Sequence, residues 1–249
     1  MFTSANLSVQ LYTVREALAD DLDAVLERVA EIGYRNVEPY GLLDYADGLA
    51  GSLPRHGLAA PTAHARVIGQ DQDRVFGTAA ALGVQIVVDP AVEAARWVDD
   101  DSIKRIAEDL NHAASVAAGY GIQVGYHNHH WELQQQVGDQ HALEVLASHL
   151  SPDVVLEVDT YWAFAGGANV PALLGRLGDR VVALHLKDGD GSLQVKNQVA
   201  VGAGVLPVWD FVNATTNLRF GVVELDDSAG DRFVAVADSF AYLTGNDGR

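Results

Sequence analysis

The chain has 249 residues, 49% of them apolar, which is enough for a large core in one domain spanning residues 1–249, and α/β barrels run undivided at this length. A formal charge of −18 repels nucleic acid and anionic membranes and weighs against a heavily phosphorylated substrate unless one local Lys or Arg reverses it, although the same charge also serves plain solubility. There is no cysteine for a disulfide or thiolate metal site, no apolar run near the roughly 18 residues of a membrane span, and no basic and apolar leader in Met1–Asn6, so the expectation is a cytoplasmic protein.

Strand-like and helix-like segments alternate from end to end. Leu7 to Tyr12 reads as strand one. Asp20 or Asp21 caps a helix with Leu22, Val25, Leu26, Val29 and Ile32 at helical spacing, and Gly33 ends it. Tyr34 to Glu38 is strand two, followed by a weaker helix over Leu42 to Arg55. Gly57 to His64 is strand three, Gln72 to Leu82 a helix, and Val84 to Asp89 strand four. A long helix covers Asp101 to Ala118, then come strand five, Gly121 to His127, and a helix over His141 to His149. Val154 to Asp159 is strand six, and Pro171 opens a short helix at a position that tolerates proline. Arg180 to Leu186 is strand seven, and a long, functionally suggestive loop runs from Asp188 to Pro207. Trp209 to Thr215 is a short helix, Phe220 to Leu225 strand eight, Asp231 to Leu243 the last helix, and Gly245 to Arg249 a frayed tail. Eight β-then-α units in this length predict a closed (β/α)8 TIM barrel, with a doubly wound open sheet as the competitor. No Gly-x-Gly-x-x-Gly turn follows strand one, which removes the commonest use of that competitor.

In such a barrel the site lies at the C-terminal strand ends. Reading alternate residues, the inward groups there are Gln10, Glu38, His64, Asp89, His127 with His129, Glu157 with Asp159, His185 with Lys187, and Glu224 with Asp226. Chance would scatter polar residues over both ends. Two acids on one face of the buried run Val154–Asp159 call for a cation, a hydrogen-bonded partner or a shared proton. His127, Asp159, His185 and Glu224 follow one another at intervals of about one βα unit, which a barrel turns into neighbours, and His, Asp and Glu together suit one divalent ion such as Mn, Co, Mg or Zn. Any one histidine is equally explained as hydrogen-bonded at a strand end; the four on one wall need a balancing charge.

The remaining assignments stay open at this point. Glu157 is the obvious substitute for His127 in the metal set. His129 orients a ligand from behind or touches substrate, and His64, Gln10 and Glu38 are placed to contact substrate. Glu132 binds a sugar hydroxyl or caps the next loop; Lys187 holds an anionic or enediolate oxygen or pairs with Glu157. Trp162, with Trp131, Tyr161 and Trp209, lines an apolar wall for a sugar face or fills the core.

These residues also carry a resemblance. Ser8–Arg15 (SVQLYTVR), Ile32–Glu38 (IGYRNVE), Tyr126-His127-Asn128-His129 with Glu132, Glu157–Trp162 (EVDTYW), Leu184–Asp188 (LHLKD) and Val223-Glu224 together resemble the xylose isomerase-like barrels of the sugar phosphate isomerase/epimerase superfamily. That resemblance implies a metal-dependent enzyme on a small carbohydrate. Its ketose epimerases hold the metal with Glu, Asp, His and Glu from strands five to eight, which places Asp159, His185 and Glu224 on the last three positions. His127 stands where those enzymes have a proton-shuttling glutamate, and the His-Asn-His form resembles instead relatives acting on inososes and 3-keto-glycosides. In Val201-Gly202-Ala203-Gly204 the acid often found third in relatives is absent, so an acidic contact is expected to be missing.

The leading expectation is proton abstraction next to a sugar carbonyl through an enediolate, with Glu224 as base, Glu157, Glu132 or His129 as partner acid, and isomerisation, epimerisation or β-elimination as the outcome. Hydrolysis at the metal, as in the endonuclease branch of this barrel, fits the charge poorly. A non-catalytic sugar-binding or partner subunit is the third class, and a homo-oligomer is left open.

Overall fold

The computed structural model describes residues 2–245. Residues 246–249, most of the expected frayed tail, lie outside them, and Gly245 is the left-handed cap of the helix Arg232–Thr244. The apolar, β-branched runs form eight parallel strands in a nearly closed TIM barrel. They are β1 (Leu7–Gln10), β2 (Asn36–Glu38), β3 (Thr62–His64), β4 (Ile86–Asp89), β5 (Gln123–His127), β6 (Val154–Asp159), β7 (Val181–Leu186) and β8 (Phe220–Val223). Parallel ladders join them in the order β2-β1-β8-β7-β6-β5-β4-β3. The last gap, between β2 and β3, is joined by the bridge of Asn36 with Ala59, through Val37 N–H to Ala59 O and Ala59 N–H to Arg35 O, each 2.9 Å, and by His64 N–H to Pro39 O at 2.8 Å.

Helices wrap the outside with caps where the sequence offers them. Asp21 accepts from Ala24 N–H before Leu22–Ile32, Asp71 from Arg74 N–H before Gln72–Ala81, and Asn169 from Ala172 N–H before Val170–Leu177. Asp99 and Ser102 form a reciprocal capping box at the start of the long helix Asp100–Ala117. No helix among the described residues is long and apolar enough to cross a membrane.

Several strands are shorter than alternation alone suggests. β1 stops at Gln10 because its side-chain oxygen accepts Tyr12 N–H and Leu11–Val14 winds into a 3-10 turn. Of the expected third strand only Thr62–His64 forms a ladder, with Ala59 adding the single bridge to β2: Gly57 is left-handed and Pro61 has no N–H to give a ladder. Among the additional elements are the short helix Arg15–Asp20, the helix Thr160–Ala165 directly after β6, and the turn Trp131–Gln134 leading into a hairpin of two-residue strands, Gln136–Val137 with Gln140–His141.

Ile86, Val88, Val155 and Val182 plug the barrel interior, and a methyl on Gly125 would meet Val88 there at 3.1 Å. Val182 is the surplus residue in β7. Leu156 pairs with Val181 but Glu157 with Ala183, so the strand bulges and its alternation resets. That reset lets Val182 point into the plug while His185 points into the barrel mouth. In β4, Val88 takes the inward position, so Asp89 does not face the site as alternation from the strand end suggested. Its carboxylate accepts N–H bonds from Val67, Ile68 and Ala91 and ties down the following loops.

Candidate active site

Register sets the site. Parallel neighbours in register present side chains at one height. Gln10 lies beside Glu38, His127 beside Glu157, and Asp159 beside His185. His64, Glu224 and Lys187 complete a buried polar cluster at the C-terminal end of the barrel.

The lower layer centres on two carboxylates. Glu157 Oε2 lies 2.6 Å from His64 Nε2, 3.0 Å from His185 Nε2 and 3.3 Å from His127 Nδ1. Glu38 Oε1 accepts from Gln10 Nε2 at 2.8 Å and lies 2.8 Å from His185 Nε2 and 3.2 Å from His64 Nε2. The His64 and His185 rings stack 5.1 Å apart. Burial alone would depress His185, but Glu157, Glu224 and Glu38 raise its pKa well above the usual imidazole range. Burial would raise Glu157, but His185 and His64 hold it well below the usual carboxylate range. Glu38 moves up, through burial and the Glu157 charge.

The upper layer centres on Lys187. Its Nζ lies 2.6 Å from Glu224 Oε2, 2.7 Å from Asp226 Oδ2 and 2.9 Å from Asp159 Oδ2. Burial opposes the ammonium, but Asp159, Asp226 and Glu224 raise its pKa well above the usual lysine range. The pairing of Lys187 with Glu157 is therefore not formed; Glu157 lies a layer below among the imidazoles. Burial would likewise raise Glu224, but Lys187 and His185 hold its carboxyl well below the ordinary value. Asp159 moves the other way, to about 6, because burial outweighs Lys187 and His185. Its Oδ1 caps Thr160–Ala165 through Trp162 N–H at 2.8 Å, and Asn128 clasps its backbone at both N–H and C=O, which leaves Oδ2 facing Lys187 and, at 3.8 Å, His127 Nε2.

Two donor sets fit a metal, each with ligand atoms within 4.8 Å of one another: His127, Asp159, His185 and Glu224 above, and His64, His127, Glu157 and His185 below. Glu157 Oε1 and Glu38 Oε2 in the lower layer are buried with no hydrogen-bond partner, whereas Asp159 Oδ2 above has the Lys187 ammonium at 2.9 Å. Buried acceptors of this kind are unfavourable without a cation or donor. The upper set has two carboxylates to balance a divalent charge and the lower only one. His127, held neutral as burial and the neighbouring His185 drive its pKa well below the usual value, keeps a free lone pair.

A cavity of about 610 Å³ opens above the cluster, lined at this end by His64, His127, His129, Glu224 and Asp226. His129 is also held neutral, its pKa lowered to about 3 by burial and then by Lys187, with its ring stacked on Trp131. The other expected substrate contacts fall elsewhere. Gln10 and Glu38 are fully buried in the lower layer, and Glu157 and Lys187 nearly so. Glu132 is committed as a loop clamp, accepting Tyr126 Oη–H at 2.6 Å and His129 N–H at 2.9 Å. Trp162 is buried with its ring centre 5.5 Å from Lys187 Nζ and packs between Tyr161 and His130, away from the cavity lining.

Sequence reasoning undervalued Asp226, although it shares a face with Glu224, and missed Gln198, which exchanges hydrogen bonds with it from the long loop. It also expected no acid at Gly202-Ala203-Gly204. Asp188 supplies one: its Oδ2 accepts Gly202 and Gly204 N–H, and its Oδ1 accepts Gly189 and Leu206 N–H. A methyl on Gly204 would lie 2.1 Å from Asp188 Oδ1.

Residues 9–225 match a family model described as the xylose isomerase-like TIM barrel. A stretch of 93 residues is 31% identical to an inosose dehydratase of Bacillus licheniformis, spanning 37% of this chain and 30% of that protein. A sugar phosphate isomerase/epimerase from Parabacteroides distasonis superposes with a TM-score of 0.79 at 23% identity, over 97% of this chain and 94% of that one. The IolI protein, with a bound zinc atom, superposes with a TM-score of 0.75 at 19% identity, over 97% and 98%. At those identities the two structures share the fold.

Proposed function

This chain belongs to the xylose isomerase-like TIM barrel family, and on that premise we propose that it is a metal-dependent carbohydrate enzyme that removes the proton next to the carbonyl of a keto-sugar or inosose. The observation that carries the reading is the convergence of two imidazoles and two carboxylates, His127, Asp159, His185 and Glu224, within 4.8 Å beneath a cavity of sugar-binding size. Their borderline-to-hard donors suit Mn, Co, Mg or Zn. A divalent ion bound there supplies Lewis-acid polarisation of the substrate carbonyl and adjacent hydroxyl.

The chain's own residues do the rest. His185 gives up its proton to offer a lone pair. Glu224 has Oε2 engaged by Lys187 and His185, and its Oε1 stands outside those contacts. That oxygen takes the proton. His129, neutral and facing the cavity, orients a substrate hydroxyl. Lys187 and Asp226 keep the carboxylate of Glu224 in place. Glu157 and Glu132 serve as clamps, not as acids. Isomerisation follows if Glu224 returns the proton to the former carbonyl carbon; epimerisation would need a second donor on the opposite face, a role that the clamped Glu157 and Glu132 do not fill. Elimination of water is the second outcome, favoured by the similarity to an inosose dehydratase and by His127 standing where the resembled ketose epimerases carry a glutamate.

The test is incubation of metal-loaded protein in deuterium oxide with ketoses, inososes and 3-keto-glucosides, followed by NMR. Deuterium is expected at the carbon next to the carbonyl, with or without loss of water. A protein that binds metal and sugar yet exchanges no proton would be a binding subunit instead.

A further inference from the structure

The cavity is larger than the reaction needs. The dozen heavy atoms of a hexose, each given a water's full share of ~30 Å³, fill at most about 360 Å³. The cavity holds about 610 Å³, which leaves roughly 250 Å³ beyond one sugar ring. The metal-donor cluster occupies only one end. The other end is walled by the segments that follow β1, β2 and β4, with Tyr12, Tyr40, Leu43, Pro90 and Ala91 among its lining.

That wall is aromatic and held in place. The Tyr12 and Tyr40 rings meet edge to face, with centroids 5.2 Å apart and planes at 89°. The Arg15 guanidinium sits 4.2 Å from the Tyr12 ring centre and donates to the carbonyls of Tyr12 and Asp226, which ties this wall to the strand that bears Glu224. Tyr40 is backed by Tyr45, with ring centres 5.6 Å apart and the hydroxyls 3.3 Å apart. Tyr12 nevertheless keeps 37% of its surface exposed. Fixed aromatic faces that remain wet are suited to stacking a flat ligand at low ordering cost.

The wall is also unsuited to an anion. Among the described residues that line the cavity, Arg66 is the sole Lys or Arg, and it ion-pairs with Glu93 at 2.8 Å. Of the lining carboxylates, Glu224 and Asp226 lie at the metal-donor end on Lys187, and Asp44 is left on this side. A phosphate tail would find no unpaired cation among the lining residues there.

Resting on the reaction site proposed above, we infer that the outer half of this cavity is a second subsite for an uncharged ring. The substrate is then a keto-sugar carrying a second, uncharged ring: the ring with the carbonyl lies over Glu224, and the aryl group or second sugar joined to it stacks on Tyr12 and Tyr40. Neither a free monosaccharide nor a sugar phosphate uses the space.

Calorimetric titration of the metal-loaded protein with methyl β-glucoside, phenyl β-glucoside, cellobiose and glucose 6-phosphate tests this. At least one ring-bearing glycoside is expected to bind about tenfold more tightly than methyl β-glucoside. Whichever of phenyl β-glucoside and cellobiose gains more identifies the ring as aryl or sugar. Tyr40→Leu, which keeps apolar packing but removes the ring, and Tyr40→Ala should both erase most of that gain. Equal affinities across the set, no binding of either ring-bearing glycoside, a gain untouched in both variants, or tightest binding of glucose 6-phosphate would each overturn the inference. Absence of deuterium exchange in the earlier experiment would sink the reaction while leaving this binding pattern to stand or fall alone.

Discussion

Lys187 Nζ lies 2.6 Å from Glu224 Oε2 and 2.9 Å from Asp159 Oδ2, so an internal ammonium already sits on two carboxylates that the proposed metal would use. A divalent ion and this ammonium repel each other and compete for the same oxygens. Lys187→Met should therefore bind Mn or Zn at least about tenfold more tightly by calorimetry, while its metal-free form melts lower because buried acids lose their partner. Added metal should restore the melting temperature. Weaker metal binding in the variant would show that Lys187 supports the ion.

The two overlapping donor sets make opposite demands. Asp159 and Glu224 belong to the upper set alone, His64 and Glu157 to the lower alone. Asp159→Asn is expected to lose most metal with the fold intact by circular dichroism, whereas His64→Ala should retain it. The reverse pattern of metal content after dialysis would move the ion down among the imidazoles.

Glu224→Gln keeps the shape and one oxygen while removing basicity. It should retain some metal and lose on the order of 10²-fold or more in turnover, the scale of general-base removal. Normal turnover in the metal-loaded variant would place the base elsewhere, with His129 the next candidate because Glu132 and Glu157 are engaged in clamps.

Glu132 gives a pH signature of stability. Burial raises its pKa from 4.5 to about 7. Between those values the folded chain holds a proton that the unfolded chain has released, so the contribution is full below about 4.5 and is lost as pH rises through about 7. Glu132→Gln imitates the protonated acid, with an oxygen for His129 N–H and a donor toward Tyr126. Between pH ~5 and ~8 the wild type should lose more unfolding free energy than the variant does, by on the order of 3 kcal/mol, with a correspondingly larger fall in melting temperature. Parallel melting curves against pH would refute the assignment.

Asp188 holds the long loop through four backbone N–H groups. Asn in its place turns one acceptor into a donor that faces N–H groups. Asp188→Asn should cost about 2–4 kcal/mol and open residues 189–206 to limited proteolysis. Gly204→Ala, with no room for its methyl beside Asp188, should show the same cleavage pattern. Wild-type melting and protease resistance in both would show that the loop is held by other means.

The barrel and much of its mouth were legible because alternation reports which face a strand residue occupies. Val154–Asp159 announced Glu157 and Asp159 on one side, and His185 with Lys187 announced themselves in the same way. What alternation lacks is the neighbour across the ladder. Glu157 meets three imidazoles, and Lys187 meets Asp226, because register and bulge place them so. The extra Val182 leaves no mark in composition, and Asp89 was misplaced because counting back from a strand end misses which residue enters the plug. Glu132 sits one short turn beyond β5, where period-two reasoning no longer applies.

The join between β2 and β3 has a further consequence. Everywhere else the barrel's girth is fixed by a run of ladder hydrogen bonds, but here the helix Leu42–Arg55 spans two strand edges that barely pair, and it shields them from outside chains. Tyr40 and His64 emerge on either side of that join. The span between them is set by three backbone hydrogen bonds instead of a ladder, the nearest being His64 N–H to Pro39 O at 2.8 Å. Ligand size on this side of the mouth thus rests on far fewer bonds than the wall that carries Asp159, His185 and Glu224.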